Sequence, residues 1–221
     1  MAAATTIDTL PNDMIVEIAM QLVSNSPLPL TVLRSFKNSC KMFSEAAKDR
    51  LIKQRIVLQR EFPELNWKAT DPRITIFKAC ANAGNLEACF IVALINIFGD
   101  RDISRGVELL HKTASNGHKE ALYLMNKIKR RLQNLPQLAN MLPANAFSDI
   151  KNIKLDDDEI QRCQARVAYV CQQVTWNDWR DSKKFCENLG CRIGAWYNYN
   201  RSFCSEACRW NQRFIELCER M

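Results

Sequence analysis

Leu10-Pro11-Asn12-Asp13-Met14-Ile15-Val16-Glu17-Ile18, followed by Leu28-Pro29-Leu30-Thr31-Val32-Leu33-Arg34-Ser35-Phe36 and then Cys40-Lys41-Met42-Phe43, is the stretch that decides the fold. Met14, Ile15, Ile18 and Leu22 recur at helical spacing. Pro11 stands at the start, where a missing N–H does no harm, so the segment predicts a short amphipathic helix. Leu30, Leu33 and Phe36 form the apolar stripe of a second helix, and Phe43, Ala47, Leu51 and Ile52 predict a third that carries on from Cys40. Three short helices within about 45 residues lie near the lower limit for an independent core, and an apolar face left over is a liability in isolation. The segment therefore calls for a partner.

The two Leu-Pro anchors and the Cys40-Lys41 pair resemble an F-box. The resemblance implies docking on the small Skp-family adaptor of cullin-RING ubiquitin ligases. The matching positions are Leu10, Pro11, Ile15, Ile18, Leu22, Pro29, Leu33, Phe36, Cys40, Lys41 and Phe43. The same residues also read as the core of a helical domain. Both readings hold at once in such a motif, where some apolar side chains pack inward and others face the adaptor. Phe43 stands where a tryptophan is common in that family, and the link Val23-Ser24-Asn25-Ser26-Pro27 is longer than usual.

The chain has 221 residues, enough for one domain or two to three small modules, and 47% hydrophobic with 25% charged residues is ordinary for a globular protein. Its most apolar run, Ala88 to Phe98, is about half the length a bilayer core demands and reads as a buried helix. Met1-Ala2-Ala3-Ala4-Thr5-Thr6 lacks the basic start and long apolar centre of a signal peptide, so the expected location is the cytoplasm or nucleus. There the ten cysteines are expected as thiols or metal ligands, not disulfides. The net charge of +7 invites a nucleic-acid reading, yet Lys and Arg are scattered, and Lys127-Ile128-Lys129-Arg130-Arg131-Leu132 is the one compact cluster. Such a cluster more often solvates a helix end, where cations also suit the helix dipole.

In the middle, Ala81-Asn82-Ala83-Gly84-Asn85-Leu86-Glu87-Ala88 returns as Ala114-Ser115-Asn116-Gly117-His118-Lys119-Glu120-Ala121, displaced by 33 positions. A period in that range marks stacked helix pairs. The alanines let helices approach closely, and Gly84 and Gly117 stand at turns where a positive φ is needed. The segment resembles the Sel-one-like branch of the tetratricopeptide-related repeats, with helices expected near 74–82, 86–97, 103–115 and 119–132. Such a repeat either offers a surface to another protein or spaces the two ends of the chain. His111 and His118 are the only histidines, and His118 beside its turn glycine is expected to be structural.

Seven of the ten cysteines follow residue 162: Cys163, Cys171, Cys186, Cys191, Cys204, Cys208 and Cys218. Cys186 with Cys191 and Cys204 with Cys208 form two pairs, with four and three residues between partners and twelve between the pairs. Four thiolates so spaced could converge on one structural zinc, which would give a loop-rich segment a core. Buried free thiols are the alternative. Cys204 to Trp210 resembles the closing half of MYND-type modules, although the histidine expected after the last pair is absent. Cys163, Cys171 and Cys218 are expected in core packing, and no nearby base supports cysteine catalysis. Trp196, Tyr197 and Tyr199, between the ligand pairs, are candidates for gripping a target or for covering a metal core.

The expected fold class is mainly α. An F-box spans residues 5–57, Sel-one-like repeats 72–133, a linker 134–160, and a Cys-rich zinc-binding segment 161–221. In this order the modules resemble plant F-box proteins. That resemblance implies a non-catalytic substrate receptor of an SCF-type ubiquitin ligase, which binds the Skp-family adaptor and through it a cullin, and recruits a target. The alternative is a zinc-containing nucleic-acid or chromatin-associated adaptor with no link to ubiquitin.

Overall fold

The computed structural model describes residues 10–65, 71–99, 102–132 and 155–176. The regular elements are all helical, and no strand occurs among the described residues. In chain order they are α1 (Asn12–Asn25), α2 (Pro29–Ser39), α3 (Lys41–Ala46), α4 (Arg50–Arg55), a 3-10 segment (Leu58–Glu64), α5 (Pro72–Ala83) and α6 (Leu86–Leu94). A π-helical turn (Ile95–Gly99) prolongs α6, and α7 (Ile103–Ser115), α8 (Lys119–Leu132) and α9 (Asp157–Trp176) complete the series. None of these helices is long and apolar enough to cross a membrane.

The chain divides into two compact units, one of Met1–Asn66 with Thr75–Ala88 and one of Trp67–Ile74 with Cys89–Met221. In the first, Ile15, Val16, Ala19 and Val23 of α1 are buried together with Leu30 and Phe36 of α2, Ile52, Leu58 and Phe77. Phe36 and Phe43 stack with ring centres 4.4 Å apart and planes 6° from parallel. The third helix expected from Cys40 to Ile52 is broken in two. Lys48 N–H and Asp49 N–H turn back onto the Glu45 and Ala46 carbonyls, which closes α3. The Asp49 carboxylate then accepts from Leu51 N–H at 2.7 Å and opens α4. An aspartate that caps a helix cannot also lie in its interior, so the cap decides the break.

In the second unit the deep core is Phe90, Ile91, Leu94, Ile97, Val107, Leu110, Leu124 and Ile128. The expected helix over 86–97 keeps α geometry only as far as Leu94 and then widens into the π turn. Gly106 shows how closely α7 lies against this turn. A Cβ there would stand 2.5 Å from Ile97 Cγ1 and 2.9 Å from the Ala93 carbonyl oxygen. Gly106→Ala must push backbone apart and is expected to destabilise by about 1–3 kcal/mol, read as a lowered melting temperature by circular dichroism. An unchanged melting temperature would contradict this packing.

The acidic run that ends the expected linker is a helix start. Glu159 N–H donates to Asp156 Oδ1 at 2.7 Å, and Asp156 N–H donates to Glu159 Oε2 at 3.3 Å, a reciprocal capping box. Beyond it, α9 buries Cys163, Val167, Val170, Cys171 and Val174, one stripe at helical spacing. Cys163 and Cys171 are thus core side chains. Burial, with Glu120 and Glu159 nearby, pushes the Cys163 thiol up, so it stays neutral. Cys218 lies outside the described residues.

Candidate functional site

Helix α1 carries one broad apolar arc. Ile15, Val16, Ala19, Met20 and Val23 point into the first unit, as a helix that packs on one side requires. Beside them, along one edge of the same arc, Met14, Ile18 and Leu22 follow one another at successive turns, and they remain 50%, 43% and 46% exposed. Scattered exposed apolar residues need no explanation, but three large ones in a row along one helix face do. Leu28 and Leu51 are exposed as well.

The eleven positions named from the sequence divide by depth. Ile15, Pro29 and Phe36 are buried in the unit's own core. Leu10, Leu33 and Phe43 are half-buried, and Pro11, Ile18, Leu22, Cys40 and Lys41 are exposed. Surface available to a partner is therefore carried by the last five, with Met14 added, and the buried three position it.

The joint between α1 and α2 is fixed by two neighbouring side chains from the 3-10 segment. Arg60 Nη1 donates to the Ser24 and Ser26 carbonyls at 3.1 and 2.6 Å, where the last carbonyls of α1 need donors. Glu61, buried, accepts from Leu30 N–H at 2.8 Å at the start of α2, where Pro29 occupies the first helical position. A carboxylate at a helix N-terminus also suits the dipole. Reading along the chain missed both, because Arg60 and Glu61 look like ordinary solvated charges and their partners lie more than thirty residues away.

The two copies of the repeat have the same turn. Gly84 and Gly117 have φ of 99° and 91°. Gly84 N–H donates to the Ala81 carbonyl and Asn85 N–H to the Cys80 carbonyl; Gly117 N–H and His118 N–H donate likewise to Ala114 and Thr113. Both are Schellman motifs. The residue after each glycine then caps the next helix. Ala88 N–H donates to Asn85 Oδ1 at 3.0 Å, and Ala121 N–H donates to His118 Nδ1 at 3.3 Å.

His118 is structural, as its place in the repeat predicts. Its ring stacks on Phe90 at 5.0 Å, and Nδ1 lies 3.4 Å from Glu120 Oε2. Glu120 in turn accepts from Arg166 Nη1 at 2.7 Å, and Lys119 pairs with Glu159, so α8 and α9 are joined by charge as well as by core. Lys129 and Arg130 are exposed near the end of α8, which suits the solvated-helix-end reading of the basic cluster. Among the described residues no three His, Cys, Asp or Glu side chains gather as a metal site. Cys186, Cys191, Cys204 and Cys208, with Trp196, Tyr197 and Tyr199, lie outside the described residues.

Paired helices, the shared glycine turn and its capping residue agree with one comparison. The family of plant tetratrico peptide repeats matches residues 60–172. The chain belongs to that family. Its curated relatives include the F-box protein At1g67340 of Arabidopsis thaliana, 29% identical over 132 residues that cover 57% of this chain and 33% of the relative. The provisionally named F-box protein At1g67623 of the same plant is 30% identical over 126 residues, covering 57% of this chain and 40% of the relative. The chain thus aligns with only a third to two fifths of the length of these relatives. No solved structure matches it.

Proposed function

We propose that this plant tetratrico repeat protein is a substrate-receptor subunit of an SCF-type cullin-RING ubiquitin ligase. The observation that carries the reading is the Met14, Ile18 and Leu22 stripe, exposed on the helix that begins with the Leu10-Pro11 wording of an F-box. The F-box names of the two Arabidopsis relatives support it. A Skp-family adaptor would cover that stripe together with Pro11, Cys40 and Lys41, and the cullin would be reached through the adaptor. The subunit would do no bond chemistry. By tethering a target beside the charged ubiquitin-conjugating enzyme it would raise the effective concentration of the reacting lysine. In this reading residues 5–57 dock the adaptor, 72–133 space or present the target, and 161–221 bind it, in the cytoplasm or nucleus.

Isothermal titration of the purified chain with a purified Skp-family adaptor tests the proposal. Saturable one-to-one binding is expected, and a folded chain that gives no heat and no co-elution would end it.

We also propose a structural zinc on Cys186, Cys191, Cys204 and Cys208. Thiolate is the soft, charged donor such a site requires, and a serine hydroxyl is neutral and hard. Elemental analysis after gentle purification should give close to one zinc per chain, and Cys204→Ser with Cys208→Ser should remove it. Metal-free wild-type protein would refute the site. Trp196→Ala with Tyr199→Ala should then abolish target capture and leave the zinc in place; lowered zinc retention and thermal stability instead would make those rings the cover of the metal core.

A further inference from the structure

Within the first unit, α2 and α5 flank an open cavity of about 340 Å³. Its inner wall is apolar: Leu30 and Leu33 from α2, Ile76 and Ala79 from α5, and Ala47 just after α3. Cys80 joins this wall, and burial pushes its thiol up to about 11 against the opposing effect of Lys53, so it too is neutral. The outer edge is of the opposite character. Arg34, Lys37, Lys48 and Lys53 line it, and no carboxylate does among the described residues.

These cations are not equally engaged. Lys48 Nζ is 2.8 Å from Glu45 Oε1, so its charge is offset within α3 and the turn that follows. Lys53 Nζ donates to the Lys48 carbonyl at 3.2 Å. Arg34 and Lys37, exposed and one turn apart on α2, have no ion-pair partner among the described residues. Leu30, Leu33, Arg34 and Lys37 fall at i, i+3, i+4 and i+7, so a single helix face presents apolar side chains inward and free cations at the mouth.

We propose that this cavity is a binding site for a small amphiphilic carboxylate, with its apolar body against Leu33, Ile76 and Ala79 and its acid group on Arg34 and Lys37. Charge complementarity selects the anion, since a neutral molecule of the same shape leaves both cations as they were and a cation is repelled. Size selects a small molecule over a peptide helix. A volume of this order lies at the lower end of small-molecule pockets, and small-molecule sites are mostly apolar with a few placed polar groups. The site shares half-buried Leu33 with the positions matched to the F-box, but Pro11, Met14, Ile18, Leu22, Cys40 and Lys41, the exposed surface assigned to the adaptor, contribute nothing to its lining.

The test titrates the full chain, at low salt and below the micelle-forming range, with decanoate, decanol and decylamine. Decanoate is expected to bind one-to-one, decanol at least about tenfold more weakly, and decylamine not at all, since a hydrogen bond to a charged group is worth about a factor of ten or more. Arg34→Gln with Lys37→Gln, both on the surface, should bring decanoate to the affinity of decanol without changing decanol. Ala79→Trp should fill the cavity and remove binding of both. Equal affinities for decanoate and decanol in the wild type, undiminished decanoate binding in the charge variant, or no decanoate binding at all would each overturn the proposal. So would a short glutamate-rich peptide that binds the wild type while decanoate does not, because the groove would then be a protein-docking surface. Adaptor titration of the charge variant, expected unchanged, separates a failure here from a failure of the receptor reading.

Discussion

Ile18→Asp with Leu22→Asp is expected to abolish adaptor binding while the chain stays folded. Both side chains are more than two-fifths exposed, so the substitutions leave the core of the first unit untouched. In the complex each aspartate would be held against a desolvated apolar contact, and an unpaired charge there costs several kcal/mol. Two such costs lower affinity by more than about a thousandfold, which takes binding out of range of titration. Ile15→Asp makes the opposite experiment. Ile15 is 0% exposed, so a charge at that site should unfold α1 against its neighbours, and any loss of binding would report only unfolding. Measured together by titration and circular dichroism, the two variants separate contact from core. A folded Ile18, Leu22 double variant with undiminished binding would remove the F-box assignment.

The contrast between Ile15 and Ile18 shows where sequence reading reaches its limit. Helical spacing places Met14, Ile15, Ile18 and Leu22 on one broad apolar arc of α1, and the arc is real. Spacing has no origin, however, so it could not say which edge of the arc packs and which stays bare. That depends on the side from which α2 and α4 approach. The repeat was more legible, because its signal is a backbone requirement: a glycine in the left-handed region forces a turn wherever it stands, and Gly84 and Gly117 both have it. The helices that the resemblance to Sel-one-like repeats implies between residues 74 and 132 are present, with the second ending in a π turn. The break after Ala46 was also written in the chain, in Asp49, but an apolar stripe running through Phe43, Ala47 and Ile52 outweighed a single capping residue. Long-range polar contacts left no local trace at all. Glu61 buried against Leu30 N–H, and Arg60 across the end of α1, have no periodicity to read. The same holds for the cavity, whose walls come from segments far apart in the chain.

Asn85→Ala is expected to lower stability by about 3 kcal/mol or more. The Asn85 side chain is buried, and its Nδ2 lies 3.1, 3.0 and 2.9 Å from the carbonyls of Lys53, Gln54 and Ile56, which share its two N–H donors. Those are carbonyls at the end of α4 and just beyond, which have no partner of their own within the helix. Its Oδ1 meanwhile accepts from Ala88 N–H in the first turn of α6. One carboxamide therefore closes the end of one helix and the start of another. Alanine leaves several buried polar groups unpartnered, each at about 1–3 kcal/mol, with partial relief where water can enter. The decisive comparison is Asn85→Asp. At a simple N-cap, aspartate serves as well as asparagine. Here it would keep the acceptor for Ala88 but turn its second oxygen, without a proton to donate, toward three carbonyl oxygens in a largely buried site. Asn85→Asp should thus be no more stable than Asn85→Ala at neutral pH, with thermal unfolding as the measurement. Wild-type stability in the aspartate variant would reduce Asn85 to a cap and leave the end of α4 to be held by other means.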